Sequence, residues 1–306
     1  MTLQNNKLVI IGNGFDLAHG LETKWNDFKG YLQDCNEELF HYLESCSHIN
    51  LWSDFERALG HLDRREIYAN ELYSFDMIKN DEDEGRNHQV ADRIRNIEDL
   101  IIDDTKRYLN SWILSIDTKV APFQNIQNIL NDAKVVSFNY TSTLETTYNL
   151  SSDNIIYLHG KAEIIQPRNQ DDYFCPEPIP ELVIGHGEDV EPIDPGTYAN
   201  SMSDEIVLDE VFSEGHRDIL VELKKDTSKY MPRLYNVLRP IEEIYIIGHS
   251  LSEIDGPYFK EIALHTQPNT SIYVTYYGDK GLRQKKRLIK DYFTLGNFYF
   301  KKIEEL

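Results

Sequence analysis

Apolar positions along the chain follow two different periods. Near the start, Lys7–Ile11 (KLVII) is a short, β-branched run that stops at Gly12, the pattern of a strand buried on both faces that feeds a tight turn. A helix is expected from about Asp16. Over residues 25–130 the period becomes helical. Phe28, Tyr31 and Leu32 share a face, as do Leu39, Phe40 and Leu43. Trp52, Phe55, Glu56 and Leu59 lie along another, and residues 94–116 mix charged and apolar positions at helical spacing. Short apolar runs then return. Residues 134–138 (KVVSF) end at Asn139-Tyr140-Thr141, and 155–158 (IIYL) end at His159-Gly160. Residues 182–184 (LVI) end at Gly185-His186-Gly187, and 243–247 (EIYII) end at Gly248-His249-Ser250. Residues 271–277 form the last clear strand, and a basic helix follows from Lys280.

This order predicts an α/β fold over residues 1–306: one domain with a Rossmann-like, mostly parallel sheet. Residues 25–130 form a large, mainly helical insertion within it. The proline- and acid-rich stretch 165–200 reads as a long loop or lid. The run Asn80-Asp81-Glu82-Asp83-Glu84-Gly85 reads as a solvated acidic loop, because it lacks the alternating ligands of a calcium loop. Strand after strand ends in small polar residues. In open parallel sheets, ligands gather outside the carboxyl ends of the strands, so the candidate chemistry falls on one edge of one sheet.

The turn Gly12-Asn13-Gly14-Phe15-Asp16 is the strongest local signal for a phosphate- or nucleotide-binding site. Two glycines allow a sharp turn and a close backbone approach. Leu17 stands where the dinucleotide fingerprint has its third glycine, and no Gly-Lys-Ser/Thr follows, so neither standard phosphate motif is complete. Asn139 offers a carboxamide that can hold a ribose hydroxyl or orient a water. His159 stands just beyond an apolar strand and is a candidate base. Gly248-His249-Ser250-Leu251-Ser252 is a nucleophile elbow without its final glycine. The only Ser…Asp…His order there, Ser250, Asp255 and His265, is too compressed for a triad. No pair among His159, His186, His216 and His249 has zinc-motif spacing, so no metal is expected.

Composition narrows the classes. Hydrophobic residues make up 41% of the 306, enough for a sizeable core. With 52 acidic and 31 basic residues the net charge is -21, which disfavours nucleic acid and anionic membranes as partners. Cys35, Cys46 and Cys175 include no Cys-x-x-Cys pair, consistent with free thiols in a reducing cytosol. Neither a signal peptide nor a membrane-length apolar run is evident, so a soluble, cytoplasmic protein is expected.

The set GNGFDLAHGL, Trp52-x-x-Phe55-Glu56, FNYTSTLE, LHG and GHSLSEID resembles the bacterial AbiH family of phage abortive-infection proteins, from Ile10 to about Phe259. The same ordered set is similar to a degenerate sirtuin-type NAD site. The resemblance implies a sirtuin-like fold and antiphage activity. It implies that Gly12, Asn13, Gly14, Phe15 and Asp16 line the phosphate and ribose region, that Asn139 and His159 are the catalytic pair with Asp16 beside the sugar, and that Gly248 and Ser250 belong to a late binding loop. It also points Glu56 toward the site, whereas its position at a helix edge is that of an ordinary surface glutamate. Protein deacetylation is disfavoured, since three cysteines cannot build a four-cysteine zinc module. The expected function is therefore NAD binding with hydrolysis of the N-glycosidic bond. The alternative is a non-catalytic nucleotide or ADP-ribose sensor with a phage-derived trigger, a partner protein or a second copy of itself as partner. A nuclease is disfavoured by the acidic surface.

Overall fold

The computed structural model describes residues 6–47, 49–68, 85–165, 178–192, 216–238 and 240–306. Residues 80–84 of the acidic run, Cys175, and residues 166–177 and 193–200 of the expected lid lie outside these. The chain forms two compact units. One comprises Met1–Asp27, Asn110–Val183 and Asp226–Leu306; the other comprises Phe28–Leu109 and Ile184–Lys225. The helical stretch 25–130 is thus divided between them, and residues 184–225 join its larger part.

The first unit is built on six strands: β1 (Lys7–Ile11), β2 (Lys134–Ser137), β3 (Ile155–Tyr157), β4 (Ile241–Ile247), β5 (Thr266–Thr275) and β6 (Asn297–Lys301). All pairings are parallel, in the order β3-β2-β1-β4-β5-β6. This is an α/β fold of the doubly wound, Rossmann-like type, and the strand order reverses between β1 and β4. The period-two geometry of a strand explains why KLVII has no polar face. Leu8 and Ile10 enter one core with Val136, Ile244, Ile246, Ile272 and Val274. Val9 and Ile11 enter a second with Phe15, Val135, Leu144 and Ile247.

Three strand expectations are corrected. Residues 182–184 form no strand: the Val183 amide donates to the His159 carbonyl at 2.8 Å, and the Val183 carbonyl accepts from the Tyr140 hydroxyl at 2.9 Å. Those contacts bury an apolar run without a ladder. Strand β5 begins at Thr266, upstream of the apolar run, where Thr270 Oγ1 donates to the Ile241 carbonyl at 2.7 Å. Strand β6 leaves no clear pattern, because this edge strand half-buries only alternate aromatic residues, Phe298 and Phe300, and fully buries none. The basic helix spans Gly278–Tyr292.

The second unit has an aromatic centre. Phe28 meets Phe55 edge-on at 5.7 Å, and Trp52 stacks on Phe55 at 5.4 Å. Trp52, Phe55 and Leu59 are all buried, as their spacing predicts. They do not share one helix: Phe55–Leu59 is a single short helix, and Trp52 sits in the turn before it. Further on, helix Gly85–Asp99 passes through a π-helical turn, Leu100–Asp104, where Arg217 grips Asp103 with two hydrogen bonds of 2.6 and 3.0 Å. An inserted residue of this kind re-aims the side chains that follow it.

Glu56 has a partner that its sequence context did not suggest. Its carboxylate accepts from Lys225 Nζ at 3.2 Å, and the lysine side chain is 0% exposed against 17% for the glutamate. A buried ammonium loses its hydration and needs a counter-charge. Glu56→Gln is therefore expected to destabilise the protein by about 3 kcal/mol, the cost of breaking a buried pair from one side. Urea denaturation of the variant beside the parent chain checks this. An unchanged midpoint would show that Glu56 does not stabilise Lys225.

Candidate functional site

Strands β1, β2, β3 and β4 all end on the same edge, and their first loop residues meet there. The tightest contact joins the turns after β1 and β4. The Gly12 amide donates to the Ile247 carbonyl at 3.0 Å and the Gly14 amide to the Gly248 carbonyl at 2.8 Å. A Cβ on Gly14 would lie 2.7 Å from Gly248 O and 2.9 Å from its Cα, and one on Gly12 would lie 2.5 Å from His249 Cα. Gly248 has φ +68°, and a Cβ there would run into the Phe15 amide. The glycines are thus required by the meeting of two backbones.

This changes the meaning of the expected phosphate cradle. The amides of Gly12 and Gly14, and that of Phe15, which donates to the Gly12 carbonyl at 2.9 Å, are committed within the fold. The following helix, Gly14–Ala18, has only five residues and a correspondingly small dipole. The Phe15 ring is fully buried against His19 and Tyr148 and serves the second core. Asn13 is exposed, and its amide donates to the Thr23 carbonyl at 2.6 Å. Ser250 is exposed on the loop after β4.

Asp16 is the centre of the first polar cluster. It is 1% exposed, and its Oδ2 accepts from Asn139 Nδ2 at 3.0 Å and from Thr141 Oγ1 at 2.7 Å. Asn139 Nδ2 also donates to the Gly12 carbonyl at 3.2 Å, and Thr143 donates to Thr141 at 3.1 Å. Burial pushes the Asp16 carboxyl up to about 6, although the neighbouring Thr141, Thr143 and Asn139 side chains pull it down. Two buried acceptors, Asp16 Oδ1 and Asn139 Oδ1, have no hydrogen-bond partner among the described residues. Because both Asn139 donor bonds reach oxygens, the orientation of its carboxamide is settled. A cavity of about 490 Å³, lined in part by Tyr140, Ser142, Thr146 and Thr118, flanks the Thr141 position.

His159 belongs to a second cluster. Its Nε2 lies 3.4 Å from Asp255 Oδ1, and His249 Nε2 lies 3.5 Å from Asp255 Oδ2. The Phe138 ring stands edge-on to both imidazoles, at 4.9 and 4.4 Å. Burial lowers the Lys285 amine to about 8, and Lys285 donates to the His249 carbonyl. The structure therefore brings Asp16, Asn139 and Gly12 together, and separately joins His159 to Asp255 and His249. Gly12 adjoins both groups, with its carbonyl on Asn139 and its α-carbon against His249.

Thr141, Asp255 and His249 were not among the expected site residues. The motif GHSLSEID contains two of them, but spacing alone directs attention to Ser250 and His265, and His265 faces Glu261 at 3.6 Å. Among the described residues no group of His, Cys, Asp and Glu is arranged to hold a metal ion, and no helix is long and apolar enough to cross a membrane.

Two substitutions test this geometry. Gly14→Ala is expected to cost about 1–3 kcal/mol through overpacking, read as a lower urea midpoint; unchanged stability would mean the turns can separate freely. For Asp16, the folded-state value of about 6 is above the ordinary 3.8. Its protonated form therefore favours folding at low pH, and that contribution is lost as pH rises through 6. Asp16→Asn should gain stability over the parent chain between pH 4 and 7, by about 3 kcal/mol for a shift of this size. Thermal unfolding across that range measures it, and a pH-independent difference would refute a raised carboxyl.

Residues 8–276 match the model of the family described as Bacteriophage abortive infection AbiH. None of the curated proteins matches the chain.

Proposed function

The chain belongs to the AbiH family of bacteriophage abortive infection proteins, and on that premise we propose that it takes up the ribose of NAD or a related nucleotide at the strand-end edge and hydrolyses the N-glycosidic bond. The observation that carries this reading is the pair of buried, unpartnered acceptors, Asp16 Oδ1 and Asn139 Oδ1. Buried polar atoms are normally satisfied, and two acceptors require a ligand that brings donors. Sugar hydroxyls do so. A phosphate brings only acceptors, and a buried carboxylate repels it. The ribose is thus the group this cluster favours, and the commitment of the Gly12, Gly14 and Phe15 amides agrees with that preference.

Nicotinamide leaves as a neutral base, so departure needs little acid assistance. The C1′–N bond breaks with its electron pair going to the base, a water oxygen bonds to C1′, and the water's proton must be accepted. Ionised Asp16 offsets the positive charge of the oxocarbenium-like sugar. Asn139 orients the hydroxyl or water, and His159 takes the proton. Because Asp16 must be ionised and titrates near 6, the rate is expected to fall as pH drops through that value.

The test combines nicotinamide release with calorimetric NAD binding. His159→Ala and Asn139→Ala should each lose about 10²–10⁴-fold in rate and keep NAD binding. Asp16→Asn should lose both the rate and its acid limb near pH 6. Binding without cleavage, even in the presence of phage-infected lysate, would replace the enzyme with a nucleotide sensor. Absence of both would remove NAD from consideration.

A further inference from the structure

Lys285 is a half-buried cation whose only polar partner among the described residues is a backbone carbonyl. It lies in the basic helix Gly278–Tyr292, where Lys280, Arg283, Lys286, Arg287 and Lys290 are all exposed. Lys285 instead reaches the loop after β4 and donates to the His249 carbonyl. Burial alone sets its amine, holding it down at about 8; a nearby carboxylate would raise it, and none does. Lys225 is the opposite case, a buried ammonium with Glu56 at 3.2 Å. The His249 carbonyl takes one hydrogen, whereas an ammonium brings three. A neutral donor would hold that loop equally well. A charged amine withdrawn from water with no carboxylate beside it points to an anion that arrives from outside the chain.

The position of the amine suits one part of a nucleotide. Ligands of doubly wound sheets gather at the carboxyl ends of the strands, where the strand order reverses. His249 follows β4 at that reversal. The glycine turn after β1 does not offer a phosphate its amides, because those of Gly12, Gly14 and Phe15 are committed within the fold. Asp16 repels a phosphate, and so does the chain as a whole, at net charge -21. The diphosphate of NAD therefore needs a holder apart from the sugar cluster. The helix that carries Lys285 has the opposite sign, its six cations set against two acids, Asp279 and Asp291. We propose that Lys285 holds a phosphate of the nucleotide, its Nζ keeping one hydrogen on the His249 carbonyl and giving the others to phosphate oxygens. The inference deepens the NAD reading and rests on it for the identity of the ligand.

Two measurements test this without reference to cleavage. The first is calorimetry with NAD and with nicotinamide riboside, which lacks phosphate. Lys285→Gln should bind NAD about 10–100-fold more weakly, the ordinary loss of a hydrogen bond to a charged group, and should bind the riboside with parent affinity. The second follows carbamylation of Lys285 by cyanate in the parent chain, read by mass spectrometry, since an amine near 8 reacts readily. NAD and inorganic pyrophosphate should both slow that reaction, and the riboside should not. The proposal is overturned if NAD binds Lys285→Gln as tightly as the parent chain, or if neither NAD nor pyrophosphate protects Lys285. Equal protection by the riboside overturns it as well, and so does a Lys285 that cyanate cannot reach, because that amine is closed to phosphate too. Should Lys285→Gln not fold, protection in the parent chain decides. Protection by pyrophosphate in a chain that neither binds nor cleaves NAD defeats the NAD reading alone and keeps the phosphate site.

Discussion

Two turns meet backbone to backbone where the strand order reverses, with the Gly14 amide 2.8 Å from the Gly248 carbonyl and the Gly12 amide 3.0 Å from that of Ile247. Every polar group of the candidate site is placed relative to this contact. Asp16 follows within the next turn of chain. Asn139, at the end of β2, reaches the Gly12 carbonyl, and His249 follows Gly248 directly. A Cβ at Gly12, Gly14 or Gly248 would press into the facing turn, so the glycines permit this close approach.

The cost of that arrangement is concentrated in Asp16. A carboxyl raised to about 6 is one that the fold would rather keep neutral. Three hydrogen-bonding neighbours reduce the penalty without removing it, and one oxygen is left with no donor among the described residues. Proteins retain such groups where a ligand completes them or a reaction uses their charge. In the second unit, by contrast, the buried Lys225 ammonium meets the Glu56 carboxylate at 3.2 Å, a counter-charge that explains why both are kept.

The polar groups of the edge form two clusters with different chemistry. Asp16 and Asn139 offer acceptors, which suits sugar hydroxyls. The Asp255 carboxylate lies 3.4 and 3.5 Å from the His159 and His249 imidazoles, and both rings stand edge-on to Phe138. Gly12, in the glycine turn after β1, adjoins both clusters.

Local pattern alone determined much of this protein. Runs such as KLVII announce strands buried on both faces, because in a parallel sheet both sides of a strand meet apolar cores. Glycines and short polar residues at their ends mark the edge where the candidate site lies. The motif set identified the family now matched over residues 8–276. Edge strand β6 is not legible in the sequence because half burial leaves only Phe298 and Phe300 as signals, and 182–184 has the composition of a strand because burial without a ladder selects the same residues. Only the tertiary structure decided the partners. Asp16 meets Asn139 and Thr141 across more than a hundred residues, and Asp255 turns from its own helix to His159. Hydrogen bonds and pKa shifts depend on distance in space and on exclusion of water, and neither quantity is encoded in the local order of residues.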